Sequence, residues 1–265
     1  MRNKLVRLAA MGLILAPALG NGSDIFIGVR GPTEWQLDLR QGHIERKDKL
    51  GNRLTIDFGN AILKYWNGDK AGLFGFVNVP YRSIDNGKSN SDGLGDVALG
   101  IGPRLRFDFG NKGSLHLLSY AGASLPTGDS KETPSLGNDR VDGKFGLYST
   151  YLSSGKRFEI DGSFEYSLAG VNRKGVRGLD EMNTGIVVGG RLTKDNLIRA
   201  AMGMTARFKE KSIEGELDYA YGPRTVIRIT PPKSKWHMEL IGDYDVRAKG
   251  LSKGFGIGSI FRYNF

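Results

Sequence analysis

The sequence has no cysteine, only three histidines, and no apolar run long enough to cross a bilayer as a helix. Without cysteine there is no disulfide framework and no thiolate metal site, which removes the stapled secreted scaffold. A membrane helix needs about 20 consecutive apolar residues, so any spanning structure must be built from strands. The histidines are His43, His116 and His237. His116 precedes Leu117, Leu118 and Ser119, which matches no nucleophile–base arrangement. His237 lies between Lys235 and Glu239 and reads as a hydrogen-bonding residue. No glycine-rich phosphate loop joins a strand to a helix, and no ligand cluster has metal spacing. Asp85, Asp92 and Asp96 could offer hard oxygens to Ca²⁺, but the Gly/Asp turn reading suits them better. The chain therefore reads as a non-enzyme with no cofactor.

What the chain does have is glycine, 39 residues of it against nine prolines, with no Gly-X-Y period. Its formal net charge is +10. The Lys and Arg residues are dispersed rather than gathered in a stripe, so nucleic acid is not the implied partner. Anionic outer-membrane lipid and lipopolysaccharide fit such a charge better. Residues 1–20 read as a secretory leader cleaved near Gly20: Arg2, Lys4 and Arg7 are basic, Leu8 to Leu15 apolar, and Ala18-Leu-Gly20 small-x-small. A short periplasmic segment, 21–32, would follow, and then a barrel over 33–265.

From Thr33 onward the chain alternates apolar and polar residues in about twelve stretches, the period of a strand with two unlike faces. Val97, Leu99, Ile101, Leu105 and Phe107 oppose Ala98, Gly100, Gly102, Arg104 and Arg106 on the fourth. Phe158, Ile160 and Phe164 oppose Glu159, Asp161 and Glu165 on the seventh. Leu54, Ile56, Phe58, Ile62 and Trp66 mark the second. Short turns follow the even strands and longer connections follow the third, fifth and seventh, at Ser83–Leu94, Pro126–Arg140 and Val171–Leu179. The pattern predicts an all-β transmembrane antiparallel up-and-down β-barrel with short periplasmic turns and both termini in the periplasm. Trp66, Phe109, Phe158, Trp236 and Phe265 then fall near the periplasmic rim, as a girdle.

The last strand ends Phe261-Arg-Tyr-Asn-Phe265. Its Tyr263 and terminal Phe265 resemble the signal that the barrel assembly machinery reads in bacterial outer-membrane proteins. A more specific resemblance rests on Trp35-Gln-Leu-Asp-Leu39, Ser91-Asp-Gly-Leu-Gly-Asp-Val-Ala-Leu-Gly100 and Leu125-Pro-Thr-Gly-Asp129. Together they resemble the outer-membrane family named for the meta-pathway of phenol degradation. That resemblance implies a barrel for uptake of small, often aromatic or hydrophobic solutes, and it brings no catalytic residues. The alternatives are a non-conducting structural or interaction barrel and, further off, a lipase-like enzyme barrel.

Strand direction assigns each polar-face residue a height. Asp57, Glu214, Glu216, Asp218, Asp243 and Asp245 come out high in the lumen. Arg104, Arg106, Arg191, Arg224, Arg228, Lys235 and Arg262 come out low, beside Glu159, Asp161 and Glu239; Glu165 and His237 complete the lining. Arg104 and Arg106 would face Arg224 and Arg228 across the bore. The expectation is an acidic mouth over a basic constriction, favouring neutral polar or aromatic solutes and, weakly, small anions over cations. Met202, Leu217, Leu240 and Ile257 are expected to face lipid, and an Arg at lumen-facing Gly100 to be tolerated.

Overall fold

The computed structural model describes residues 34–47, 53–195, 197–210 and 217–265. The expected leader and the segment 21–32 lie outside the described residues, as do Glu214 and Glu216. The regular structure of the described chain is strand, apart from two single-turn 3-10 segments at Gly110–Lys112 and Ser154–Lys156. In order the strands are β1 (Glu34–Lys47), β2 (Arg53–Trp66), β3 (Ala71–Asp85), β4 (Asn90–Leu94), β5 (Val97–Asp108), β6 (Gly113–Leu125) and β7 (Asp142–Ser153). They continue as β8 (Phe158–Leu168), β9 (Glu181–Arg191), β10 (Ile198–Glu210), β11 (Leu217–Ile229), β12 (Trp236–Tyr244), β13 (Arg247–Lys249) and β14 (Lys253–Asn264).

β4 and β5 lie end to end against β3, and β12 and β13 lie end to end against β11. Fourteen segments therefore make twelve staves, each antiparallel to the next. β14 closes on β1 in a register from Gln36↔Asn264 to Lys47↔Lys253. Closure removes both sheet edges, the condition for a sheet whose outer face is apolar. That face carries exposed Leu39, Leu63, Leu99, Met202, Leu217, Leu240 and Ile257. Phe109, Phe158, Trp236, Tyr263 and Phe265 are exposed at the periplasmic end, and the Phe265 N–H donates to the Trp35 carbonyl at 3.0 Å.

Three expectations need correction. Trp66 sits at the expected height but faces inward and is fully buried against Phe74 and its neighbours, so it is not part of the girdle. Asp57, its strand-mate of opposite parity, accordingly points outward, where His43 Nδ1 lies 2.8 Å from its carboxylate. The second strand thus turns its greasier face to the lumen. The interval Ser83–Leu94 is not a loop: β3 and β4 continue through it, pairing Ser83 with Asp92 and Ile84 with Ser91 around a tight turn at Asn86–Ser89. Gly87 takes φ 77° there, a conformation that favours glycine.

The core of the molecule is the bore itself. One buried apolar group runs along the wall from Ile44, Ile56 and Ile84 to Val226, Ile241 and Ile260. A second gathers Ile62, Trp66, Phe74, Phe76, Leu118, Tyr120 and Tyr148. Phe76 meets Tyr120 edge-on at 5.0 Å, and Tyr120 stacks with Tyr148 at 6.2 Å.

A charged bore and a chamber above it

Strand direction places the inward residues of the periplasmic half at the starts of β1, β8, β10 and β12 and at the ends of β2, β5, β11 and β14. There the charges form one continuous ladder. Asp38 accepts Lys64 Nζ at 2.7 Å, Arg262 Nε at 3.1 Å and Arg40 Nη2 at 3.3 Å. Glu239 accepts Arg262 Nη1 at 2.6 Å and Arg228 Nε at 2.5 Å. Glu159 accepts Arg228 Nη1 and Arg199 Nη2, both at 2.8 Å. None of these side chains is more than 7% exposed. Because Arg228 on β11 reaches Glu159 on β8, past β9 and β10, the ladder cuts across the bore rather than following the wall. Five cations (Arg40, Lys64, Arg199, Arg228, Arg262) share three carboxylates, so each acceptor serves more than one donor.

The other sequence-assigned residues also have definite partners. Arg104 donates to the Gly68 carbonyl at 2.6 Å, and Arg106 to Asp108 and Asp69. Asp161 accepts from Thr150 at 2.6 Å. Arg224 grips Asp243 with two hydrogen bonds, at 2.7 and 3.1 Å, and Arg207 holds Asp245 at 2.8 Å. His237 lies inward in register with Arg262, and Arg191 lies inward at the foot of β9. Asp218 packs against Gly250, and Glu165 accepts the Tyr120 hydroxyl at 2.8 Å. Arg104 and Arg228 are thus each held by acceptors, not left opposing one another.

The outer half departs from an acidic mouth. Arg46, Arg82, Arg140, Lys144, Arg207 and Lys209 point inward there as well, so both halves carry mixed charge. Sequence reasoning missed them for local reasons. Arg46 and Lys209 lie just beyond the strands expected from the sequence at 33–44 and 197–208, and Phe74 and Phe76 blur the parity that would have assigned Arg82. Lys144 was recoverable, since it shares parity with Asp142 and Thr150 against Val141, Phe145 and Leu147 on β7.

Above the ladder the bore opens into a chamber of about 160 Å³. Phe58, Phe76 and Tyr120 give it aromatic surface, and Asn60, Asn78, Asn183 and Lys144 give it polar walls. Residues 126–141 fold inward to complete it, contributing Asn138 and Arg140 and burying Leu136. One carboxylate pins that segment. Asp96, in the break between β4 and β5, accepts the Gly128 N–H at 3.0 Å and the Asn138 N–H at 2.8 Å. Thr127 adds a hydroxyl that accepts the Val97 N–H at 2.8 Å and donates to the Gly95 carbonyl at 3.1 Å. A Cβ on Gly128 would come within 3.0 Å of Gly95, and one on Gly137 within 2.5 Å of Asp96, which accounts for glycine at both. The motifs Ser91–Gly100 and Leu125–Asp129 are therefore two halves of one joint.

The remaining candidates have been dispersed by the fold. Asp92 accepts the Tyr81 hydroxyl and Asp85 the Gly87 N–H, so neither joins Asp96. Among the described residues no group of three His, Asp or Glu side chains is placed to hold a metal. His116 lies 3.2 Å from Ser114, its neighbour on the same strand face, buried in the periplasmic half and away from the chamber.

Comparison with known proteins follows the same line. A family described as "Putative MetA-pathway of phenol degradation" matches residues 40–216, taking in both halves of the joint. No curated relative matches the sequence. The structure is similar to an outer membrane channel from Pseudomonas putida F1, with a TM-score of 0.74 and 13% identity over 90% of this chain and 98% of that one. It is also similar to the translocator domain of the autotransporter NalP from Neisseria meningitidis, with a TM-score of 0.57 and 11% identity over 97% of each chain. At these identities the likeness is one of fold.

Proposed function

The chain belongs to this family of outer-membrane barrels, and from that premise we propose that it is an outer-membrane channel for passage of small, single-ring molecules. The observation that carries the reading is the chamber. It has aromatic surface and polar walls, and its volume is close to the roughly 150 Å³ that holds benzene in an engineered protein cavity. Below it a ladder of ion pairs crosses the bore beside the Trp66–Phe74 cluster, and water can replace a polar partner where it cannot replace a leucine. Passage then requires the ladder to part. The test is single-channel recording of the full chain in planar bilayers, with swelling of liposomes in neutral single-ring solutes. Discrete conductance with swelling is expected.

A second reading, a non-conducting barrel, is favoured by the near-complete burial of the ladder. Silence in the bilayer and no swelling, from protein with the heat-modifiable migration of a folded barrel, would establish it. The remaining partners in this reading are outer-membrane lipid and the assembly machinery, with Tyr263 and Phe265 as the recognised end. Deleting Phe265 should lower outer-membrane yield and leave protein in the periplasm, and an unchanged yield would remove that role.

A further inference from the structure

We propose that the chamber is specific for a monocyclic aromatic carboxylate, with Lys144 and Arg82 holding the carboxylate and Phe58, Phe76 and Tyr120 the ring. The proposal rests on the reading of the chamber as the solute site and adds the charge of the solute. The carboxylates in its wall are engaged. Glu165 takes the Tyr120 hydroxyl, Asp142 takes Arg140 at 2.7 Å and Asn138 at 2.9 Å, Asp96 takes two backbone N–H groups, and Glu181 takes Lys209 at 2.9 Å.

The cations are not balanced in the same way. Lys144 Nζ, a three-donor group, gives one hydrogen bond to the Ser167 hydroxyl at 2.7 Å and has no carboxylate within ion-pair distance among the described residues. Arg82, with five donors, makes no direct hydrogen bond to a described residue; its charge is attracted by Asp96 nearby, and it lines the same chamber from β3. The unfilled donors in the wall are therefore those of Lys144 and Arg82. A charged donor held away from bulk water with open N–H groups is costly, and a carboxylate supplies two acceptor oxygens in charge-assisted bonds. A neutral amide supplies only weaker acceptance, and an ammonium meets like charge. The ring of the solute would lie on the aromatic surface, and the size of the chamber limits it to one ring.

The probes are benzoate, benzamide and benzylamine, which share a ring and differ in charge. Calorimetric titration of the refolded full chain in detergent should give benzoate the tightest binding, about tenfold over benzamide, with benzylamine weakest. Lys144→Gln and Arg82→Gln should each remove most of that preference by lowering benzoate affinity far more than benzamide affinity, and Lys144→Arg should keep it. Folding of each variant is checked by heat-modifiable migration. The wild-type ligand series stands alone if a variant does not fold. Equal affinities for benzoate and benzamide, or a benzoate preference surviving in the double Lys144→Gln/Arg82→Gln variant, would overturn the proposal. The channel reading fails separately: no swelling with any solute, alongside selective benzoate binding, removes passage and leaves this specificity standing.

Discussion

At the scale of single residues, Asp96 and Gly100 show how a few atoms shape the chamber. Asp96 satisfies two N–H groups of the 126–141 segment with one carboxylate. Removing it strands both donors, and each such buried donor costs about 1–3 kcal/mol. Asp96→Ala should therefore release the segment, and trypsin should cut after exposed Lys131 faster than in the wild type. Unchanged cleavage would mean that Thr127 and Leu136 hold the segment without Asp96. Gly100 reverses the sequence-based expectation. It faces the lumen as expected, but a Cβ there would lie 2.7 Å from the rings of both Phe76 and Tyr120. The glycine is the seat of an aromatic cluster, not spare room. Gly100→Val should cost about 1–3 kcal/mol by overpacking, read as a lower urea midpoint in refolding, and Gly100→Arg should cost more.

At the scale of strands, the number of staves and their directions were legible, because period-2 alternation and turn chemistry are local. Which face is which was legible only where the inner face is polar. On β5 and β8 the charges mark the bore, as Arg104 and Glu159 show. On β2 the inner face is Ile56, Ile62 and Trp66, greasier than the outer face with Asp57, and alternation alone cannot announce that the lumen is itself an apolar core. The joint at Asp96 was visible as two short motifs, while their contact, 32 residues apart in sequence, was not. The outward parity of β10 gives a test at this scale. Met202 is 68% exposed on the apolar face, and Met202→Arg should cost about 2–4 kcal/mol in lipid refolding, the penalty of a cation at the bilayer midplane. A negligible cost would place Met202 outside the hydrocarbon.

For the whole molecule the question is why the periplasmic half is closed by ions. Stability alone does not require it, since apolar replacements of buried ion pairs are often neutral or stabilising. The ladder differs from a greasy plug in that its partners can be exchanged for water and re-formed. Its arithmetic also makes it sensitive, with three carboxylates serving five cations. Glu239 bridges Arg228 and Arg262, which in turn lead to Glu159 and Asp38. Glu239→Gln should leave two buried guanidinium groups short of a counter-charge, lower stability by about 3–5 kcal/mol and raise conductance as the ladder loosens. The double variant Glu239→Leu/Arg262→Met removes both members of a pair and fills the space with apolar volume. It should refold with much less loss of stability, but conduct less than the wild type because water no longer has a polar path. If that variant conducts as well as the wild type, solutes pass elsewhere and the ladder is only scaffold.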